Sequence, residues 1–187
     1  MEEDRLQGFL KRAQMAQRAV DDVIKHGVSW TEFDPVSAEA EMGQMLSGMI
    51  RMLKPKMVVE TGTYRCMTSC VLGLAVKNNG YGHIWTCDIE MSVGHLAKLE
   101  GLPVTFVKCS SLDLPQLREA DFVFSDSAQD LRAKEYELVK SGCVFVVHDT
   151  RTSYNGNPDQ YWLGKWVRSQ GGLTFEAGRG FGILVKP

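Results

Sequence analysis

The stretch that decides the fold is residues 57–66, MVVETGTYRC, in which an apolar run meets an acidic residue and a glycine turn. The apolar run Met57–Val59 predicts a buried strand, and a helical pattern begins soon after the turn. A strand, a turn and a helix in this order are how a doubly wound α/β sheet presents a nucleotide-like ligand. Gly62 predicts a close approach of the backbone to that ligand. The spacing Glu60-x-Gly62 lacks the further glycines with which dinucleotide-binding turns hold a pyrophosphate.

The rest of the chain alternates strand and helix patterns. The predicted strands are 57–60, 83–88, 104–108, 121–125, 143–148, 173–177 and 181–185, and the main helices between them are 67–77, 91–99, 131–140 and 159–169. Repeated strand–helix units predict a mainly parallel sheet that is covered on both faces. Only residues 178–180 separate the last two strands, which is too short for a parallel crossover and predicts an antiparallel hairpin. We therefore expect a doubly wound α/β fold with a seven-stranded sheet.

Chain length and helical patterns predict one domain spanning residues 1–187. Apolar residues at helical spacing over 3–26 indicate an N-terminal helical extension, which we place at residues 1–35. The core then covers residues 36–187 and begins with a second helix over about 37–53.

Charge and composition exclude several classes of function. The formal net charge of −2 offers no electrostatic footprint for nucleic acid or for an anionic membrane. No apolar run approaches the roughly 20 residues of a membrane helix, and the acidic start of the chain is unlike a signal peptide, so we expect a cytoplasmic protein. The five cysteines form no Cys-x-x-Cys pair and are expected to be reduced, small hydrophobic residues.

Polar residues stand at the ends of four predicted strands. They are Glu60, Asp88, Asp126 and the pair His148-Asp149. Ligands of doubly wound sheets bind at the carboxyl ends of the strands, so four such residues on one edge indicate a binding site. The carboxylate of Asp88 is suited to accept hydrogen bonds from the two hydroxyls of a ribose. The alternative is that Asp88 caps the helix that follows it.

Two strings resemble a known family. Residues 59–65, VETGTYR, and residues 147–150, VHDT, resemble class I S-adenosylmethionine-dependent methyltransferases, in particular the O-methyltransferase branch that includes macrolide and cephalosporin-type sugar and antibiotic methyltransferases. The resemblance covers residues 36–187 and implies a Rossmann-like fold. It implies that S-adenosylmethionine is bound by Glu60, Gly62, Thr63, Tyr64, Asp88, Ser110, Ser111 and Asp126.

The resemblance also implies how the acceptor is held. Asp126, His148 and Asp149 would organise the acceptor oxygen, with Asp126 and Asp149 as candidate ligands of Mg²⁺. Such a metal would hold the acceptor hydroxyl and lower its pKa. His148 is alternatively a general base, or a structural residue that pins a loop. In the polar segment after the fifth predicted strand, Arg151 and Tyr154 are candidate substrate contacts.

The function expected from these residues is O-methylation of a small-molecule or sugar hydroxyl. The N-terminal helix pair, over 3–26 and about 37–53, would cover the substrate side or form a homo-oligomer contact. Cys66 replaces a glycine of the family pattern and Gln129 replaces a histidine. Thr150 stands where many cation-dependent O-methyltransferases have an asparagine after the second acid. These departures keep open the alternative of a catalytically inactive protein that binds S-adenosyl compounds. A nicotinamide-dependent oxidoreductase is a further alternative on the same architecture, disfavoured by the missing glycines.

Overall fold

The structure is a computed structural model that describes residues 38–90, 93–151, 162–176 and 179–187. The predicted extension at 1–35 and the candidate substrate contact Tyr154 lie outside these residues. Within the described part of the chain, no helix is both long and apolar enough to cross a membrane.

Strands and helices alternate along the described chain, as the sequence predicts. The strands are β1 (Met57–Thr61), β2 (His83–Asp88), β3 (Val104–Lys108), β4 (Phe122–Ser125), β5 (Val144–His148), β6 (Leu173–Phe175) and β7 (Phe181–Val185). The α-helices are α1 (Ala40–Leu53), α2 (Met67–Asn79), α3 (Val93–Leu96), α4 (Gln129–Leu138) and α5 (Trp162–Ser169). Short 3₁₀ segments cover Ala97–Leu99, Ser111–Asp113 and Pro115–Glu119.

The seven described strands form one sheet in the order β3-β2-β1-β4-β5-β7-β6. The first five strands in this order are parallel, and β7 runs antiparallel to both β5 and β6. The predicted doubly wound sheet with a closing hairpin is therefore confirmed. The order reverses between β1 and β4, and this is the place where such sheets bind their ligands.

Both faces of the central strands β1, β4 and β5 are buried, which explains why these strands are nearly continuous apolar runs. Adjacent residues of β1 enter opposite cores: Val58 shares one core cluster with Leu72 of α2, and Val59 shares the other with Tyr136 of α4 and Leu163 of α5. This alternation is the two-residue period of a strand. Packing in the two cores fixes the position of the strand ends, and so it also positions the loops that follow them.

Several element boundaries differ from the sequence prediction. Helix α4 begins at Gln129 and ends at Leu138, two residues earlier at each end than the predicted 131–140. The segment predicted as one helix over 91–99 ends in a 3₁₀ turn. Strand β6 ends at Phe175, which makes the hairpin connection longer than predicted.

Candidate active site

A cavity of about 590 Å³ opens at the carboxyl ends of the strands, over the point where the strand order reverses. Eight of the residues predicted from the sequence line it, namely Gly62, Thr63, Tyr64, Asp88, Ser110, Ser111, Asp126 and Asp149. The sequence therefore located the cavity. Glu60 and His148 are fully buried below its wall, and Arg151 lies elsewhere.

The glycine turn after β1 is held against the backbone that follows β4. Gly62 has a φ of +88°, and its N–H donates to the carbonyl of Cys87 at 2.9 Å. A Cβ at Gly62 would lie 2.4 Å from the carbonyl oxygen of Asp126, a distance that real Cβ atoms do not reach. Glycine is thus required here by the packing of two strand ends, and not only by the approach of a ligand.

Cys66 occupies the position where the family resemblance leads us to expect a glycine. It is buried and adopts a left-handed conformation, with φ of 62°, directly before α2. Its N–H donates to the carbonyl of Thr63 at 2.8 Å, so the turn forms without the glycine. The left-handed conformation costs a residue with a side chain roughly 1–2 kcal/mol. Burial raises the pKa of the thiol to about 12, which makes Cys66 a packing residue and not a nucleophile.

Glu60 lies in a hydrogen-bonded network beneath the cavity. Its carboxyl accepts hydrogen bonds from the hydroxyls of Ser69 and Thr86, the latter at 2.6 Å. Thr63 in turn lies 2.6 Å from Thr86, so the network reaches the glycine turn. Burial raises the pKa of Glu60 to about 8, although the two hydroxyl donors act in the opposite direction. Glu60 therefore supports the turn from below, and its side chain does not reach the cavity wall.

Asp88 at the end of β2 fixes the loop above it. One carboxylate oxygen accepts the N–H of Tyr64 at 2.9 Å, and the other accepts the N–H of Glu90 at 3.3 Å. A carboxylate offers about four lone-pair sites, so two hydrogen bonds leave acceptor capacity toward the cavity that it lines. This geometry is compatible with binding the hydroxyls of a ribose.

Ser111 carries a buried hydroxyl on the cavity wall. Its Oγ has no hydrogen-bond partner among the described residues. Buried polar atoms are nearly always paired, and an unpaired one on a cavity wall indicates a ligand partner. Its neighbour Ser110 lines the same wall.

Arg132 on α4 joins the two aspartates at the ends of β4 and β5. Its Nη2 lies 3.2 Å from Asp126 and 3.2 Å from Asp149. Its Nε donates to the carbonyl of Ser127 at 2.8 Å, and its Nη1 donates to the carbonyl of His148. The sequence reasoning missed this residue. A signal existed, because an arginine near the start of a helix is disfavoured by the helix dipole and therefore points to a specific anionic partner.

His148 lies beneath the aspartates with both ring nitrogens engaged. Nδ1 lies 3.0 Å from Asp126, and Nε2 lies 2.7 Å from Glu39, which precedes α1. Burial lowers the pKa of His148, but the charge of Asp126 and hydrogen bonds to both carboxylates outweigh burial and raise it to about 9. A charged imidazole that donates two hydrogen bonds is not a free base, so the geometry favours the structural alternative for His148.

Glu39 and Arg179 complete this charged cluster, and sequence reasoning found neither. Glu39 accepts the backbone N–H of Arg179 at 2.8 Å, and the Nε of Arg179 lies 3.3 Å from Asp149. Burial acts to raise the pKa of Glu39, but hydrogen bonds from His148 and from Arg179 lower it to about 2. The cluster thus draws together the start of α1, the ends of β4 and β5, and the hairpin.

A second buried carboxylate, Glu135, anchors α4 to the strand ends. It accepts hydrogen bonds from the hydroxyls of Thr61 at 3.0 Å, Ser125 at 2.6 Å and Ser127 at 2.6 Å. Glu135 lies three residues after Arg132, so the two side chains leave the same side of the helix. One face of α4 therefore positions both the strand ends that form the cavity wall and the charged cluster.

Two further residues named in the sequence analysis remain, of which Arg151 lies outside the main cavity and Gln129 lines it. Arg151 is exposed, donates to the carbonyl of Glu176 at 2.7 Å and lines a second cavity together with Lys165 and Arg168. The structure therefore does not bring Arg151 to the main cavity. Gln129 does line the main cavity, at the start of α4.

Comparison with solved structures finds the same fold in known methyltransferases. The S-adenosylhomocysteine-bound methyltransferase PaMTH1 of Podospora anserina matches with a TM-score of 0.64 at 14% identity, over 97% of this chain and 96% of that chain. The O-methyltransferase TomG of Streptomyces achromogenes, which is involved in tomaymycin synthesis and was solved with S-adenosylmethionine, matches with a TM-score of 0.63 at 19% identity, over 92% and 89% of the two chains. The chain has the Rossmann-like methyltransferase fold.

A third solved structure shows the same likeness. The O-methyltransferase of Bacillus cereus in complex with S-adenosylhomocysteine matches with a TM-score of 0.63 at 14% identity, over 93% of this chain and 91% of that chain. No protein-family model and no curated protein matches the sequence. The likeness therefore lies in the fold, and it does not single out the macrolide and cephalosporin-type branch.

Proposed function

We propose that this protein is an S-adenosylmethionine-dependent methyltransferase that acts on a hydroxyl oxygen of a small-molecule or sugar acceptor. The observation that carries the proposal is the cavity at the strand-order reversal, where Asp88 and the unpaired hydroxyl of Ser111 lie on one wall and Asp126 and Asp149 on another. Solved proteins with this fold bind S-adenosylmethionine or its product. We further expect a cytoplasmic protein whose N-terminal helical region covers the substrate side or forms a homo-oligomer contact.

The cavity lining suggests two subsites, one for the cofactor at Asp88 and Ser111 and one for the acceptor at Asp126 and Asp149. Asp88 would accept hydrogen bonds from the ribose hydroxyls, since its two oxygens keep acceptor capacity. Ser111, with Ser110 beside it, would meet a polar edge of the adenine. Both sets of residues follow strands on either side of the strand-order reversal. A cofactor bound by Asp88 and Ser111 would therefore reach toward Asp126 and Asp149.

Catalysis by this chain would consist mainly of alignment. When bound, S-adenosylmethionine supplies a methyl group on a positively charged sulfur. Asp126 and Asp149 line the cavity and would orient the acceptor hydroxyl, and one of them would receive its proton as the carbon–oxygen bond forms and the bond between the methyl carbon and sulfur breaks, leaving a neutral thioether. Arg132 and His148 touch these carboxylates from behind and would act as positioning residues. The expected gain comes from holding the reacting atoms in line and from excluding water.

Two observations favour a second candidate function. Gln129 lines the cavity at a place where the resemblance implies a histidine, and its amide cannot accept a proton at neutral pH. His148 has both ring nitrogens bonded to carboxylates. A protein that binds S-adenosyl compounds without transferring the methyl group therefore remains the alternative, and turnover with any acceptor excludes it.

Calorimetric titration with S-adenosylhomocysteine tests the cofactor. We expect micromolar binding by the wild type. Asp88→Asn should weaken it about tenfold or more, because each hydrogen bond to a charged group contributes about 1.5–3 kcal/mol. Glu119→Gln, a change at an exposed acid outside the cavity, should bind like the wild type.

Two results would contradict the proposal. The first is a folded wild-type protein that releases no heat with S-adenosylhomocysteine. The second is binding of a nicotinamide dinucleotide in its place, which would support the oxidoreductase alternative.

A further inference from the structure

Asp126 and Asp149 both line the cavity, and with His148 they form a group whose ligand atoms all lie within 4.8 Å of one another. Carboxylates in this arrangement could hold a hard divalent cation. The test of that fit is whether their oxygens are available. An inference about this site rests on the proposed function, since it concerns how the acceptor is held.

A guanidinium group already occupies the space between the two carboxylates. The Nη2 of Arg132 lies 3.2 Å from an oxygen of Asp126 and 3.2 Å from an oxygen of Asp149. The side chain of Arg132 is only 3% exposed, so it is part of the packed wall and not a surface chain that swings away. A cation bound by the same oxygens would have to displace it.

The guanidinium is also fixed by its other donors. Nε donates to the carbonyl of Ser127 at 2.8 Å, and Nη1 donates to the carbonyl of His148. Together with the two bonds from Nη2, four of the five N–H groups of an arginine have partners among the described residues. Moving Arg132 to admit a cation would break all four and remove its donors from the carbonyls of Ser127 and His148, at about 1–3 kcal/mol each.

Charge balance leads to the same conclusion. Asp126 and Asp149 contribute two negative charges, and Arg132 and Arg179 contribute two positive charges within 3.3 Å of them. This part of the cluster is neutral without a metal, and the pair of His148 and Glu39, 2.7 Å apart, adds one charge of each sign. A divalent cation would add two charges to a partly buried cluster that is already balanced, and burial of uncompensated charge is unfavourable.

We propose that the guanidinium of Arg132 takes the place of a divalent cation between Asp126 and Asp149, so that this protein binds its cofactor and its acceptor without a metal. Arg132 then neutralises the carboxylates and sets their spacing, which are two of the tasks that a cation performs in a metal-dependent site. The expectation from the sequence resemblance that Asp126 and Asp149 bind Mg²⁺ does not fit these side chains.

The wild-type protein provides the first test. S-adenosylhomocysteine should bind with the same affinity, within about twofold, in excess chelator and in millimolar MgCl₂. Titration with Mn²⁺, followed by the paramagnetic signal of free Mn²⁺, should show no stoichiometric site. One tight Mn²⁺ site per chain, or a loss of cofactor affinity of tenfold or more in chelator, would overturn the proposal.

A variant provides the second test because it should gain a property. Arg132→Ala removes the guanidinium and leaves the two carboxylates facing each other, so Mn²⁺ should now bind and should raise the melting temperature of the variant. Arg132→Lys keeps a positive charge there and should bind Mn²⁺ more weakly than Arg132→Ala. Arg118→Ala, at an exposed arginine outside the cavity, should behave like the wild type.

The outcomes separate this proposal from the proposed function. A folded Arg132→Ala protein that binds no Mn²⁺ would contradict the claim that the guanidinium occupies a cation position. If Arg132→Ala does not fold, the wild-type Mn²⁺ titration decides the question alone. If S-adenosylhomocysteine fails to bind in every condition, the proposed function fails, while the Mn²⁺ titrations still test the role of Arg132.

Discussion

Glu60 is a residue of the expected cofactor-binding motif whose carboxyl has a structural role. It is fully buried, and its oxygen accepts from Ser69 and Thr86. A buried carboxyl that keeps its proton avoids the cost of a buried charge. The side chain thus links the end of β1 to α2 and to β2, and the cavity wall is formed by the residues that follow it.

The pKa of Glu60 makes a prediction about stability and pH. Because the folded-state value of about 8 lies above the ordinary value of 4.5, the folded protein binds this proton more tightly than the unfolded chain. Its contribution is fully present below about pH 4.5 and is lost as the pH rises through about 8. Glu60→Gln should therefore remove part of the decline in the free energy of unfolding between pH 5 and pH 9, on the order of a few kcal/mol.

Urea unfolding of the wild type and of Glu60→Gln across this pH range measures the effect as a difference, which cancels the titration of other groups. The exposed change Glu119→Gln serves as the control and should leave the pH dependence as in the wild type. Parallel curves for the wild type and Glu60→Gln would show that Glu60 does not titrate in this range.

At the scale of elements, the site depends on how closely the turn after β1 meets the loop after β4. Gly62 and the backbone of Asp126 are in contact there, and the N–H of Asp126 donates to the carbonyl of Thr61 at 2.9 Å. Strand β1 pairs with β4 in register up to Thr61 and Ser125. The contact sets the distance between the wall that would hold the cofactor and the carboxylates that would hold the acceptor.

Gly62→Ala should therefore disturb both stability and binding. The added Cβ would lie 2.4 Å from the carbonyl oxygen of Asp126, so the two loops must separate. We expect a loss of more than about 2 kcal/mol in the free energy of unfolding, from the steric overlap together with the positive φ. We also expect cofactor affinity to fall at least tenfold. Urea unfolding and calorimetry with S-adenosylhomocysteine measure the two effects.

Gly80→Ala is the matched control, because Gly80 also has a positive φ of 66° but faces open space. It should show the cost of the backbone conformation alone, about 1 kcal/mol, with normal cofactor binding. Equal losses at Gly62 and Gly80 would show that backbone conformation, and not the contact with Asp126, explains the requirement for glycine.

At the scale of the whole molecule, the charged cluster joins the beginning of the described chain to its end. Glu39 lies directly before α1, His148 ends β5, and Arg179 belongs to the hairpin connection. The two hydrogen bonds of Glu39 span 109 and 140 residues of sequence. The cluster therefore holds the first helix and the antiparallel hairpin against the parallel part of the sheet.

Glu39→Gln should weaken this connection. The amide keeps the shape of the side chain but removes a charge that faces His148, and hydrogen bonds to charged groups contribute about 1.5–3 kcal/mol. We expect a loss of about that size in the free energy of unfolding near neutral pH. Glu41→Gln, at an exposed residue of α1, should change the free energy of unfolding by less than about 0.5 kcal/mol. An equal effect at both positions would contradict the role of Glu39 in the cluster.

Local sequence patterns are sufficient to predict the architecture and the edge of the sheet at which the cavity lies. Alternating apolar runs and helical patterns predict a parallel sheet, and the carboxyl ends of parallel strands share one edge, so Asp88, Asp126 and Asp149 had to lie together there. The short connection before β7 likewise required an antiparallel hairpin. These inferences depend only on local periodicity and on chain geometry, which are written in consecutive residues.

Tertiary structure decided which residues touch within that frame. Glu39 and Arg179 meet His148 and Asp149 only because α1 and the hairpin pack against the same strand ends, and no local pattern marks them. Arg132 reaches the two aspartates because α4 docks with that side chain toward the strand ends. The periodicity of a sequence gives the face on which a residue lies, whereas the contacts of a long side chain depend on the packing of elements far apart in the chain.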